Sequence, residues 1–83
     1  TRSLAVDLGK YNILVNSLSP GVVYTDLTKR VLGKEINSIK RLIPLKRLAS
    51  TKEISSAAIF LCSDLNTYVT GQNIMVDGGY TAI

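Results

Sequence analysis

The sequence predicts an α/β fold with parallel strands, and three features of its pattern carry that prediction. Two short apolar runs, Ile13-Leu14-Val15 and Ile74-Met75-Val76, have the continuous hydrophobicity of strands that are covered on both faces. Between them, residues 51–62 show the spacing of an amphipathic helix. A strand, a helix and a strand in this order form a βαβ unit with parallel strands. Because two parallel strands are not stable alone, we expect neighbouring strands from outside the chain.

Residues 1–9 are predicted to form the last turns of a helix. Leu4, Ala5 and Leu8 repeat at helical spacing. Gly9 follows where a helix commonly ends on a left-handed residue. The chain opens on Thr1 rather than Met and has no leader pattern, so we expect a fragment whose first helix begins upstream.

The central stretch runs from the first apolar strand, over residues 13–18, into a Pro20-Gly21 turn and a polar cluster that ends at Asp26. In an open parallel sheet, ligands bind beyond the carboxyl ends of the strands. Pro20 has a fixed φ, Gly21 permits close backbone approach, and Thr25 offers a hydroxyl group. The alternative interpretation is a plain turn, with Thr25 as the N-cap of a following helix.

Residues 26–46 are predicted to hold two short helices. The first covers Asp26 to Leu32, and Gly33 separates it from a second helix that ends before Pro44. The second helix carries one apolar stripe, made of Ile36, Ile39 and Ile43. Such a segment is typical of a flexible lid over a site and equally typical of an ordinary connection.

The most secure helix prediction begins at a capping box. Ser50 and Glu53 have the S-x-x-E spacing in which each side chain caps the other residue's backbone amide. The helix ends at Ser63-Asp64, and the second strand is closed by Asp77-Gly78-Gly79. Five residues form the apolar face of this helix: Ile54, Ala57, Ala58, Leu61 and Cys62.

The net charge of +4 is concentrated in one segment, since eight of the ten basic residues fall between positions 29 and 52. Such a cluster attracts an anionic substrate, a cofactor phosphate or nucleic acid, or it is simply a solvated face. No aromatic residues interleave with these charges to stack bases, so we expect no nucleic-acid partner.

Composition also bears on metal binding, disulfides and cellular location. The single Cys62 cannot form an internal disulfide, and there is no His, so the sequence contains no metal-site pattern. No apolar run is long enough to cross a bilayer. We therefore expect a cytoplasmic protein without a membrane partner, in which Cys62 acts as a small hydrophobic residue.

An ordered set of motifs resembles the carboxyl-terminal third of short-chain dehydrogenases/reductases. The set covers nearly the whole chain: Val15-Asn16, Pro20-Gly21, Thr25, Pro44-Leu45-Lys46-Arg47, Glu53-Ile54, Phe60 to Asp64, Thr70-Gly71-Gln72, and Val76 to Gly79. The resemblance implies that residues 1–83 are the C-terminal part of a single NAD(P)-binding domain with a doubly wound, parallel-sheet Rossmann-like fold. It also implies a homodimer or homotetramer, with residues 52–62 and 74–76 at a twofold interface.

The same resemblance implies a site. The loop from Pro20 to Thr25 would hold the nicotinamide end of NAD or NADP, through Pro20, backbone groups of Gly21 and Val23, and the Thr25 hydroxyl. Residues 26–46 would form the lid over an alcohol or carbonyl substrate. Asn16 is interpreted as a structural residue at the strand end.

The chain lacks the family's catalytic pair. No Tyr is followed by Lys four residues later, and there is no glycine-rich pyrophosphate turn. In this family a Tyr-x-x-x-Lys pair would sit just before Thr1, where the lysine lowers the pKa of the tyrosine that acts as general acid. We therefore expect no catalysis by these residues alone. The sequence leaves open a non-catalytic remnant that serves as an oligomerisation or binding module.

Overall fold

The computed structural model describes residues 1–83, which form four α-helices and two β-strands. Two 3₁₀ turns, Gly9–Tyr11 and Tyr80–Ala82, follow the first helix and the second strand. In chain order the elements are α1 (Arg2–Leu8), β1 (Ser17–Pro20), α2 (Asp26–Leu32), α3 (Glu35–Leu42), α4 (Thr51–Cys62) and β2 (Asn73–Val76).

The two strands form a parallel pair, as the sequence predicts. Ser17 lies opposite Asn73 and Pro20 lies opposite Val76. The chain passes from β1 to β2 through α2, α3 and α4, so the predicted βαβ arrangement is confirmed. Since the strands run in the same direction, their carboxyl ends lie together at one edge of the sheet.

The first strand begins later than predicted. Ile13, expected in a buried strand, is 46% exposed, and β1 starts at Ser17. Residues 13–16 lie beside an irregular loop, where Val15 N–H donates to the Thr70 hydroxyl (2.9 Å) rather than to a strand carbonyl. The Asn16 side chain binds Val69 O (2.8 Å) and Gln72 N–H (3.1 Å), which confirms its structural role.

The end of the first helix also differs from the prediction. Gly9 has φ −57° and continues into the 3₁₀ turn, so it is not the left-handed residue. Asn12 takes that position, with φ 59°. Its N–H donates to Gly9 O, and Ile13 N–H reaches back to Leu8 O (3.3 Å), which completes a Schellman-type ending. An Asn side chain tolerates this conformation better than most others.

Helices α2 and α3 match the predicted pair, with Gly33 at φ 50° between them. The apolar stripe of α3 faces inward, since Ile36 and Ile43 are both buried and pack with Leu48. Three partly buried residues surround this cluster: Val22, Leu32 and Ile39. The buried apolar cluster therefore lies under the α2–α3 segment.

The predicted capping box at the start of α4 is present. The Ser50 hydroxyl accepts from Glu53 N–H (3.2 Å), and the Glu53 carboxylate accepts from Ser50 N–H (2.9 Å). Glu53 also forms a two-point ion pair with Arg47 at 2.7 and 2.8 Å. The expectation for Cys62 is wrong, because its position at the last residue of α4 leaves it exposed.

The chain as a whole is extended and buries few of its side chains. Five of its 83 residues are buried, and the radius of gyration is 15.5 Å. A compact domain of this length has a radius of gyration of about 12 Å. None of the helices has the combination of length and apolar character that spanning a membrane requires.

Candidate functional site

The candidate site begins where the parallel ladder ends. Gly21 N–H donates to Val76 O at 2.9 Å, and beyond this bond the chain turns away from β2. Pro20, the last residue of β1, is exposed at the edge of the sheet. Two predicted site residues, Pro20 and Gly21, therefore stand at the carboxyl end of a strand, where the sequence places them.

The structure gives Gly21 a packing role that the sequence did not reveal. A Cβ atom at position 21 would lie 2.9 Å from both Cα and Cβ of Asp77, which is too close for a carbon contact. The backbone of the turn after β2 therefore packs directly on Gly21. Glycine at position 21 therefore permits the close approach of another part of the same chain, the backbone of Asp77.

Beyond Gly21, the loop exposes backbone groups that no other part of the chain uses. The Val23 N–H and the Gly21 carbonyl make no hydrogen bond within the protein. Both residues are only partly buried, so a ligand can reach these groups. Counting the rest of the loop, three amide donors (Val22, Val23 and Thr25) and two carbonyl acceptors (Gly21 and Tyr24) are available.

Thr25 is the N-cap of α2, as one of the two sequence interpretations predicts. Its Oγ1 accepts from Thr28 N–H (3.1 Å) and lies 2.9 Å from Thr28 Oγ1. The Thr28 hydroxyl donates its only hydrogen to Val23 O (2.7 Å), so the hydrogen between the two hydroxyls comes from Thr25. Thr25 Oγ1 therefore keeps one free lone pair and can accept one more hydrogen bond.

Hydrogen bonds to Ala49 hold the loop after β1 in place. Tyr24 N–H donates to Ala49 O (2.8 Å), and Ala49 N–H donates to Val22 O (3.1 Å), which forms a short parallel bridge. Together with the Thr28 bond, these contacts fix the loop on both sides of Val23. Its free polar groups are therefore preorganised.

A cleft of about 510 Å³ opens beside Pro20 and Gly21. Helix α3 contributes one wall with Leu42, and the segment after β2 contributes another with Tyr80. Val23 and Thr25 do not line this cleft. The structure thus brings Pro20 and Gly21 to the cleft and places Val23 and Thr25 further along the same loop.

Asp77 lines the cleft, whereas the sequence predicted it only as the end of a strand and as part of the Val76 to Gly79 motif. Its carboxylate accepts hydrogen bonds from Gly79 N–H (3.0 Å), Thr81 N–H (3.1 Å) and the Thr81 hydroxyl (2.8 Å). These donors, the Thr81 hydroxyl first among them, hold the pKa of Asp77 below its usual value. The carboxylate fixes the turn that positions Tyr80. The signal was an Asp-Gly-Gly sequence at a strand end, which favours a tight turn.

The turn at Asp77 also connects the loop after β1 with the α2–α3 segment. Its backbone packs on Gly21, and the next residue, Gly78, accepts a hydrogen bond from Leu45 N–H (3.2 Å) at the end of the α2–α3 segment. The turn after β2 therefore contacts both the loop after β1 and the end of the α2–α3 segment.

Comparison with known proteins places these features in a family. A family model described as Enoyl-(Acyl carrier protein) reductase matches residues 1–81. The chain is 46% identical over 80 residues, 95% of its length, to the 3-oxoacyl-[acyl-carrier-protein] reductase of Aquifex aeolicus. It is 40% identical over 82 residues, 98% of its length, to the NAD-dependent glycerol dehydrogenase of Listeria innocua. The chain spans about a third, 32%, of each of these two relatives.

A solved structure shows the same relationship in three dimensions. A short chain dehydrogenase family protein from Francisella tularensis superposes with a TM-score of 0.86 at 41% identity. The match covers 100% of this chain and 39% of that protein. The predicted fold, part of a Rossmann-like doubly wound sheet, is thereby confirmed.

Proposed function

The chain belongs to the family of short-chain dehydrogenases/reductases, and on that basis we propose that it forms the C-terminal part of an NAD(P)-dependent oxidoreductase. The whole protein transfers a hydride between a nicotinamide cofactor and an alcohol or carbonyl substrate. Residues 1–83 contribute part of the cofactor site and the substrate lid, and the catalytic Tyr and Lys and the glycine-rich turn come from a preceding segment.

The observation that carries this proposal is the set of free polar groups on the loop after β1. A nicotinamide carboxamide has one acceptor oxygen and two N–H donors. The loop offers the Val23 N–H as donor, and the Gly21 carbonyl and the free lone pair of Thr25 Oγ1 as acceptors. The loop therefore has both a donor for the carboxamide oxygen and acceptors for its N–H groups. Proline at position 20 adds a rigid apolar surface beside them.

The bound nicotinamide ring supplies or accepts the hydride, and the residues of this chain hold and cover it. Gly21, Val23 and Thr25 fix the carboxamide and thereby the orientation of the ring. Because the bridge to Ala49 and the Thr28 bond preset the loop, little ordering is needed when the cofactor binds. Residues 26–46 act as the lid and exclude water from the reacting atoms.

The proposal is tested on the open reading frame that contains this chain. We expect a Tyr-x-x-x-Lys sequence a few residues before Thr1. We also expect the purified product to bind NADH or NADPH, seen as a change in nicotinamide fluorescence, and to oxidise members of a panel of secondary alcohols. A protein that binds neither cofactor contradicts the proposal.

The second candidate is a non-catalytic module that binds partners through its apolar surfaces. The exposed side chains of Ile59 (66% exposed) and Phe60 (44%) on α4 favour it. An initiator Met codon directly before Thr1, with no oxidoreductase sequence upstream, would favour the module over the enzyme.

We further propose that the whole protein is a cytoplasmic homodimer or homotetramer. Apolar side chains remain exposed on α4 and at the C-terminal end, where Ile83 is 83% exposed, and such surfaces are commonly covered by a second copy. Light-scattering mass measurement of the full-length protein is expected to give two or four chains. A monomer at micromolar concentration contradicts this assignment.

A further inference from the structure

The two backbone polar groups of Val23 point to the same side of the loop after β1. Ala49 N–H donates to Val22 O (3.1 Å), and Tyr24 N–H donates to Ala49 O (2.8 Å). In a trans peptide the C=O and the N–H point in opposite directions. The Val23 N–H shares a peptide with Val22 O, and Val23 O shares one with the Tyr24 N–H. Both groups of Val23 therefore point away from Ala49.

The Thr28 hydroxyl lies on this side of the loop and bonds to Val23 O at 2.7 Å. A carbonyl oxygen has no hydrogen to donate, so the hydrogen in this bond belongs to Thr28. A hydroxyl group has a single hydrogen, and Thr28 uses it here. Toward any other partner, the Thr28 oxygen can therefore act only as an acceptor.

This restriction passes to Thr25. The two threonine hydroxyl oxygens lie 2.9 Å apart, and since Thr28 has no hydrogen left, Thr25 is the donor. Thr25 Oγ1 also accepts from Thr28 N–H (3.1 Å). Its hydrogen and one of its two lone pairs are therefore occupied, and toward a ligand Thr25 is an acceptor only. Thr25 and Thr28 are both partly buried, so the order of donors is protected from competing water.

We infer that Thr28 is a positioning residue, whose hydroxyl makes Thr25 an acceptor and thereby holds the nicotinamide carboxamide one way round. The inference rests on the proposed function and deepens it. The Val23 N–H suits the carboxamide oxygen, and Thr25 Oγ1 suits a carboxamide N–H. A carboxamide turned by half a rotation would bring its oxygen against the Thr25 oxygen, which has no hydrogen to offer, so that orientation is selected against.

The test compares two cofactors that differ in one group, and it uses the full-length protein. The first is the reduced cofactor that the protein binds, NADH or NADPH, and the second is its 3-acetylpyridine analogue, in which a methyl group replaces the carboxamide NH₂. The analogue keeps the carbonyl oxygen and has no N–H for Thr25. By calorimetric titration without substrate, we expect the wild-type Kd for the analogue to exceed that for the nicotinamide cofactor by about fivefold or more.

The variant Thr28→Val removes the hydroxyl and retains the branched shape and the backbone N–H that Thr25 caps. The Thr25 hydrogen then loses its acceptor and can turn to the carbonyl oxygen of either cofactor. We expect the ratio of the two Kd values to fall by about fivefold, mainly through weaker binding of the nicotinamide cofactor. Thr28→Ser restores the hydroxyl and should restore the wild-type ratio. The matched control is Thr67→Val, the same change at an exposed position, which should leave the ratio unchanged.

Urea unfolding of the same variants separates positioning from stability. A Thr28 that only stabilises the loop would weaken both cofactors equally in Thr28→Val, and an unchanged ratio therefore overturns the inference, as does a wild-type ratio near one. If Thr28→Val does not fold, Thr28→Ala removes the hydroxyl with a smaller side chain. Failure of both to fold, with Thr28→Ser folded, makes the hydroxyl a requirement of folding and overturns the positioning role. These results leave the oxidoreductase intact, whereas a protein that binds neither NADH nor NADPH overturns both proposals.

Discussion

One oxygen atom of Thr25 has an observed role and a proposed one. It caps α2 by accepting from Thr28 N–H, and it keeps a lone pair that the proposed function assigns to the nicotinamide carboxamide. The two sequence interpretations of Thr25, cap and ligand contact, are therefore compatible. Its cap role is observed, and its cofactor role stays a prediction.

The variant Thr25→Val separates these two roles. It retains the β-branched shape and removes the hydroxyl group, so packing changes little. Loss of the cap is expected to lower the free energy of unfolding by about 1 kcal/mol. Loss of a hydrogen bond to the cofactor is expected to lower kcat/KM by about fivefold to a hundredfold, the equivalent of roughly 1 to 3 kcal/mol.

Urea unfolding and steady-state kinetics on the full-length Thr25→Val protein measure the two effects. A stability loss with unchanged cofactor affinity would remove Thr25 from the cofactor site. Since the cap is lost in either case, cofactor affinity is the deciding measurement.

Gly21 is constrained by its contact with Asp77. In Gly21→Ala, the new Cβ would lie 2.9 Å from two Asp77 carbons, so the turn after β2 must move. We expect a loss of about 1 to 3 kcal/mol in the free energy of unfolding, as for other overpacked positions. The control is Gly9→Ala, where no atom lies within 4 Å of the added Cβ and φ is −57°. Urea unfolding of the full-length variants should show little change or a small gain for the control, and a similar loss in both variants would contradict this account.

At the scale of elements, the Arg47–Glu53 pair ties the residues after α3 to the start of α4. Glu53 accepts from the Arg47 guanidinium and from Ser50 N–H together. The Arg47 hydrogen bond, followed by that of Ser50, lowers the pKa of Glu53 from 4.5 to about 2. One carboxylate therefore both completes the capping box and fixes the direction in which the chain enters the helix.

This pKa predicts a pH dependence of stability. A carboxyl group whose pKa is lower in the folded state stabilises the fold fully above its ordinary pKa of 4.5, and this contribution is lost as pH falls from 4.5 through about 2. The difference in Tm between the full-length wild type and its Glu53→Gln variant should therefore be largest above pH 5 and shrink towards pH 2. Asp77 titrates in both proteins, so the difference isolates Glu53. A Tm difference that stays constant from pH 6 to pH 2 would contradict the assignment.

At the scale of the whole molecule, the isolated 83-residue chain leaves too much surface uncovered. Five residues are buried, and the backbone edges of β1 and β2 that face away from each other pair with no third strand. Such edges are templates for pairing with another chain. We expect the isolated chain to be poorly folded or self-associated in size-exclusion chromatography and to lack a cooperative thermal transition. A monodisperse monomer that melts cooperatively would show that the chain is a complete folding unit.

The features that the sequence determined by itself are the local ones. The capping box of Ser50 and Glu53, the break at Gly33 and the buried stripe of Ile36 and Ile43 were all predicted, because each depends on residues within a turn or two of one another. The parallel βαβ arrangement was also predicted, since the order of elements restricts it. The ordered motifs placed Pro20 and Gly21 at the end of β1 correctly.

The tertiary structure decided what depends on residues far apart in the chain. The start of β1 at Ser17 follows from Thr70 and Gln72, more than fifty positions away, which pair irregularly with residues 15–17. The contact of Asp77 with Gly21 and the placing of Tyr80 opposite Leu42 likewise join segments that the sequence separates. The sequence pattern contains the periodicity of each element but not the distances between elements. The cleft depends on those distances, because residues from several separate segments line it.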